Sequence, residues 1–197
     1  MKRYFLALVV ALLLQACQSA PIVYSVGQIT TPQGEILVWL YSDTPNHKQA
    51  FLQLAQEHYW DSYTFNRVIN GFVIQGGCPD TPEGFADSPH LLAPEFNAGH
   101  QHIYAAFGAG RDDNPDKLSA ACQFYIVQNP DGLARLDGNY MIYGHVIKGM
   151  DVVETIAKLP TNEDDEPLLP VSLKVRVIEL NRSQLLSMGV PSAWITP

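Results

Sequence analysis

The chain has 197 residues and carries 20 acidic side chains against 12 lysines and arginines, for a net charge of −8. That length suffices for one domain with a sizeable core. The acidic balance argues against a nucleic-acid partner and against electrostatic attraction to anionic lipid.

Residues 1–16 open on Lys2 and Arg3 and run into an apolar stretch from Tyr4 to Leu14. The stretch is too short to cross a bilayer as a helix and reads as a secretory signal peptide. Leu14-Gln15-Ala16-Cys17 is similar to a bacterial lipobox, which predicts lipidation of Cys17 and anchoring by several acyl chains. A plain signal peptide with an unmodified Cys17 is the alternative. Gln18, where some retained lipoproteins have aspartate, leans towards the outer membrane. Residues 17–24 are read as the lipidated cysteine and a short tether, 25–180 as the folded domain, and 181–197 as a tail.

Strands are predicted at Gly27–Thr31 and Glu35–Tyr41 around the turn Pro32-Gln33-Gly34. Pro45 stands near a helix start, and Phe51, Leu52, Leu54, Ala55 and His58 give a helical stripe over 47–58. The block Phe65-Asn66-Arg67-Val68-Ile69-Asn70-Gly71-Phe72-Val73-Ile74-Gln75-Gly76-Gly77 then reads as a β-hairpin around Asn70-Gly71. A guanidinium is costly to strip of water, so Arg67 among apolar neighbours suggests a working group in a half-dry cleft. An arginine on the solvent face of a hairpin fits the segment alone equally well. A three-residue loop, Asn70-Gly71-Phe72, pairs Ile69 with Val73 and Arg67 with Gln75, and only this register builds a polar pair inside an apolar rim.

His100 and His102 alternate on a possible strand, without a third ligand at a recognisable metal spacing, and read as solvent-facing. Residues 111–117 read as a solvated loop, with a part in specificity as the alternative. A second helix is predicted at Met150–Lys158. Glu163-Asp164-Asp165-Glu166 lacks the spacing and glycine of a calcium loop and reads as a solvated acidic loop. Val171–Leu180 closes as a strand. In the tail, Leu185, Leu186, Met188 and Trp194 pack on the domain or meet a partner, packing being the preferred reading. Many short strands with two helices predict a barrel or sandwich.

Three blocks carry a family resemblance. Tyr59–Gly77, Cys122-Gln123-Phe124-Tyr125-Ile126 and Leu136-Asp137-Gly138-Asn139-Tyr140-Met141-Ile142-Tyr143-Gly144 resemble, in that order, the signatures of cyclophilins. These are peptidyl-prolyl cis-trans isomerases built on a closed eight-stranded antiparallel barrel with two flanking helices. The resemblance spans about Ser25 to Leu180 and implies that Arg67 is catalytic. It implies that Phe72, Val73, Tyr125 and Leu136 line a proline pocket, that Gln75 orients the arginine, and that Gln123 contacts the substrate backbone. Tyr140 falls where many members have histidine, and its ring is expected to close the pocket with activity retained. Phe107 and Gly108 replace alanine and asparagine at positions that meet the substrate, and a bulky Phe107 is expected to narrow the adjoining pocket. Arg135 stands where many members have the tryptophan that contacts cyclosporin, so weak cyclosporin binding is expected.

The resemblance also puts Cys78 and Cys122 at the ends of neighbouring strands, which in an exported protein reads as a disulfide, with two inert thiols as the alternative. No metal or cofactor is called for, because isomerising an Xaa-Pro bond opposes only amide resonance. The expected function is isomerisation of Xaa-Pro bonds in exported proteins by a membrane-anchored monomer whose partners are proline-containing polypeptides. A proline-peptide binding module or chaperone with little turnover is the alternative. A structural envelope protein is a third, supported only by the anchor and the tail.

Overall fold

The computed structural model describes residues 21–79 and 91–195, and within them strands β1 (Val23–Thr31) and β2 (Gly34–Leu40) form the expected first hairpin. Thr31 Oγ1 accepts hydrogen bonds from the N–H groups of Gln33 and Gly34 and sets the turn. β1 begins before the predicted Gly27, because residues from Val23 onward pair with the last strand, β11 (Lys174–Asn181). Tyr24, expected in the tether, packs instead against Trp39 with ring centroids 6.1 Å apart. The leader and Cys17 lie outside the described residues. Among those described, no helix is long and apolar enough to cross a membrane.

Helix α1 (Pro45–Gln56) starts at its proline, where the missing N–H costs nothing. Its Thr44 makes no side-chain cap. The Glu95 carboxylate takes that place, accepting from the N–H groups of Asn46 and His47 at 3.1 and 3.2 Å and lying 2.6 Å from His47 Nδ1. A carboxylate there meets both the free donors and the positive end of the helix. Helix α2 (Met150–Ala157) matches its predicted span to one residue and buries Val152, Val153, Ile156 and Ala157.

Nine antiparallel strands form one curled sheet. Its order is β10 (Val171–Ser172), β3 (Thr64–Val68), β4 (Val73–Gly77), β8 (Gln123–Val127), β6 (Ala106–Ala109), β9 (Met141–Lys148), β2, β1 and β11. β5 (Leu91–Leu92) and β7 (Ser119–Ala120) pair separately. The closed eight-stranded barrel is therefore not what forms: the sheet is an open half-barrel with β10 and β11 at its two edges. The single predicted strand Val171–Leu180 is split to make those edges. After two residues on β3 the chain turns in at Leu173, fully buried, and then pairs with β1 at the far edge. One covalent crossing at Leu173 thus joins the edges where a hydrogen-bonded ladder would close a barrel.

Strand side chains alternate between faces. The inner face, with Phe65, Ile74, Phe107, Phe124 and Tyr143, packs with Phe51 of α1 and Ile156 of α2 into the main core. The outer face carries Val26, Trp39, Tyr41, Val73 and Tyr125. Part of it is covered by the tail, where α3 (Arg182–Ser187) buries Leu185, and Val190 and Ile195 follow. Trp194 stands edge-on to both Tyr41 and His145. The rest of the outer face is left open for a cavity.

Cys78 and Cys122 are joined as a disulfide with Cα atoms 5.5 Å apart. The Cys122 carbonyl accepts from the Cys78 N–H and from the Trp60 indole. Gly77 permits this approach: its φ is +96°, and a Cβ there would lie 2.1 Å from the Cys122 oxygen. The bridge spans 44 residues of sequence. Replacing both cysteines by serine is expected to lower the unfolding free energy by about 2–4 kcal/mol; equal urea midpoints for the two proteins would contradict this.

Candidate active site

The hairpin adopts the three-residue loop. The Ile69 N–H donates to the Val73 carbonyl and the Ile69 carbonyl accepts from the Phe72 N–H, Gly71 takes φ +77°, and Arg67 stands opposite Gln75. Gln75 in turn faces Tyr125 on β8, and Tyr125 faces Gly108 on β6. Arg67, Gln75, Tyr125 and Gly108 thus form one register line across four adjacent strands on the outer face.

A cavity of about 270 Å³ opens over this line. It brings together Arg67, Phe72, Val73, Gln75, Gln123, Tyr125, Leu136 and Tyr140, all expected at the site, and adds Gly110, Arg111 and Arg135. Gln123 is anchored by donating from Nε2 to the Cys78 carbonyl at 2.9 Å.

Phe107 is not brought there. Adjacent strand residues face opposite ways, so a chain that sets Gly108 on the outer face must send Phe107 inward. Its ring is fully buried against Phe51, Phe124 and Tyr143. The expected narrowing of the pocket by Phe107 therefore does not occur. Gly108 does not line the cavity but makes its shape possible, since a Cβ there would lie 2.3 Å from Tyr125 Cζ.

The guanidinium of Arg67 lies half exposed, with Nε 3.8 Å from Asp165 Oδ2 and Cζ 6.0 Å from the centre of the Phe72 ring. Among the described residues it makes no hydrogen bond to Gln75. Asp165 belongs to the acidic run read as a solvated loop, and the loop is organised by Asn162, whose Oδ1 accepts from the N–H groups of Asp164 and Glu166. The Asp165 carbonyl accepts from the Val68 N–H at 2.8 Å, which straps the loop to β3 beside Arg67. Residues 111–117 are likewise more than a solvated loop. Asn114 ties them together, Lys117 donates to the Gly138 carbonyl, and Arg111 lies over Tyr140 in the cavity wall.

Below Tyr125 lies a chain of hydrogen bonds that its sequence signals did not disclose. His102 is buried, not solvent-facing, with Nδ1 2.7 Å from Asp137 Oδ1 and Nε2 2.8 Å from the Tyr125 hydroxyl. An ionised Asp137 only accepts, so Nδ1 carries the proton and Nε2 accepts from the tyrosine. His100 is engaged too, stacked on Tyr41 and 2.8 Å from Asp43. The segment is not a strand, so the alternation that placed both histidines on one solvent face does not apply. Asp137 directly follows Leu136, so this chain links the cavity floor to the loop that supplies Leu136 and Tyr140.

A model of the family described as cyclophilin type peptidyl-prolyl cis-trans isomerase/CLD matches residues 26–177. The chain belongs to the cyclophilin-type peptidyl-prolyl cis-trans isomerase family. Peptidyl-prolyl cis-trans isomerase ppi1 of Schizosaccharomyces pombe is 33% identical over 156 residues, covering 74% of this chain and 94% of that protein. A peptidyl-prolyl cis-trans isomerase of Acinetobacter baylyi is 30% identical over 162 residues, covering 77% and 85%. A crystal structure of a Cryptosporidium parvum cyclophilin type isomerase, in the presence of the dipeptide Ala-Pro, matches with a TM-score of 0.66 and 22% identity, over 78% of this chain and 98% of that one. It is a likeness in fold. This cyclophilin is an enzyme of the isomerase class, and its family fold carries the cavity described above.

Burial is the main cause that holds the pKa values of His47, His102 and His145 below the ordinary 6.5, against the pull of Glu95 on His47 and of Asp137 on His102. The unfolded chain therefore takes up these protons at a higher pH than the folded one. With more protons bound to the unfolded state, stability falls as pH drops below about 6.5. The urea midpoint is expected to be lower at about pH 5.5 than at pH 7.5, with a shallower pH slope in His102→Gln; equal slopes would take His102 out of the account.

Proposed function

We propose that the cavity catalyses Xaa-Pro isomerisation with Arg67 as the catalytic group, acting on exported proteins from a lipid anchor at Cys17. The observation that carries the catalytic reading is the line Arg67, Gln75 and Tyr125 beneath an apolar rim of Phe72, Val73 and Leu136. The barrier to rotation comes from amide resonance. When the bond twists, resonance is lost and the prolyl nitrogen regains a lone pair that accepts a hydrogen bond. A fixed guanidinium at the edge of an apolar pocket donates that bond in the twisted state and has no equivalent partner in the planar one, so it favours the transition state selectively. Excluding water from the rim strengthens the bond. Asp165 and Phe72 limit where the guanidinium swings, which makes Asp165 a positioning residue.

Phe72, Val73, Leu136 and Tyr140 hold the pyrrolidine ring by apolar contact, and Gln123 pairs with the backbone beside it. No bond to a heavy atom is made or broken, so the reaction needs neither a metal nor a cofactor. Support for export comes from the leader-like residues 1–16 and the lipobox-like Leu14-Gln15-Ala16-Cys17. Acyl chains at Cys17 would keep the enzyme on the membrane surface, with the outer membrane favoured. The acidic charge gives no reason to propose nucleic acid as a partner, and nothing in the reaction requires more than a monomer.

By exchange NMR on short Xaa-Pro peptides, Arg67→Ala is expected to lower kcat/KM by about 100- to 1,000-fold with an unchanged melting temperature. Saturable peptide binding without turnover in the parent protein would instead identify a binding module. In bacterial cells, Cys17→Ser is expected to move the protein from the membrane fraction to the soluble fraction, and an unchanged distribution would remove the lipid anchor.

A further inference from the structure

The chain has six arginines, and three of them, Arg67, Arg111 and Arg135, line the one cavity. No carboxylate lines it among the described residues. In a protein of net charge −8, this concentration of guanidinium groups is a local reversal of sign.

The three are held in different ways. Arg67 has its carboxylate, Asp165, at 3.8 Å, and the mechanism above uses its donors. Arg111 is almost wholly buried, its side chain 6% exposed. Nη1 donates to the Asn114 carbonyl and Nη2 reaches Asn139 at 3.4 Å and Asp113 at 3.9 Å, while Nε is buried without a hydrogen-bond partner. Arg135 is exposed and has its Cζ 4.9 Å from the centre of the Phe72 ring. Among the described residues it pairs with no carboxylate. A guanidinium steadied by an aromatic face keeps its N–H edge free for a ligand.

The nearby carboxylates do not supply that ligand. Asp137 is taken up by His102, and Asp112 accepts from Asn114. Arg111 stands at the Tyr140 side of the cavity and Arg135 at the Phe72 side, so an extended peptide whose proline sits between them passes one cation on its way in or out. A carboxylate is the group that a guanidinium fork matches in charge and in planar geometry.

We propose that this cavity prefers proline sites that carry aspartate or glutamate next to the proline, with Arg135 as the residue that selects the carboxylate. The proposal rests on the isomerase reading above and names its substrate class. Exposure and salt keep such a contact modest, so the preference is about fivefold and is screened at high ionic strength.

The test measures kcat/KM by exchange NMR with the purified full-length protein and two matched peptide pairs. One pair has glutamate or glutamine immediately before the proline, the other immediately after it. The expected result is about a fivefold advantage for glutamate in at least one pair at low salt, lost in 0.5 M sodium chloride and reduced in Arg135→Gln. That side chain is exposed and unpaired, so folding does not depend on it. Equal rates within both pairs, or an advantage that survives Arg135→Gln unchanged, overturn the preference and leave the isomerase intact. Failure to turn over any of the four peptides overturns the isomerase reading and this inference with it.

Discussion

Everything at the site depends on the two-residue period of β4, β8 and β6. Because one face of these strands must bury Ile74, Phe124 and Phe107, the other face is committed to Gln75, Tyr125 and Gly108. A slip of one residue would send aromatic rings into the cavity and the amide of Gln75 into the core. The main core therefore sets the site's register as well as its stability. Arg67 inherits its place from the same constraint through its pairing with Gln75.

The outer face is divided between two uses. The tail, with Leu185, Val190, Trp194 and Ile195, covers the region around Trp39 and Tyr41, whereas the region over β3, β4 and β8 stays open. The open part is framed by loops that are fastened to one another: Lys117 to Gly138, Arg111 to Asn139, His102 to Asp137. These links let long connections hold a defined wall, which loops without such partners do not do.

Much of this was legible in the chain. The Asn70-Gly71 turn and the polar residues three places either side of the loop, Arg67 and Gln75, were enough to choose the hairpin register, and both main helices announced themselves by apolar spacing. The illegible parts have physical reasons. The phase of a strand is invisible where neighbours are all small or all apolar, so in Ala106-Phe107-Gly108-Ala109 nothing local said which of Phe107 and Gly108 faced out. His102 and Asp137 are 35 residues apart, and Arg67 and Asp165 are brought together by a loop far along the chain. Such pairings exist only once the sheet has curled. Sheet closure was misjudged for a similar reason: Leu173 reads as one more residue of a strand, and only its burial turns it into the crossing between two edges.

The space above Gly108 ties two positions into one unit. A side chain there and a tyrosine at 125 exclude each other, and the hydroxyl that fills the space is also the one that reaches His102. A larger residue at 108 would have to expel the ring, and a shorter one at 125 would leave buried His102 Nε2 without the donor it has here. A substitution at one of positions 102, 108 and 125 is therefore felt at the other two.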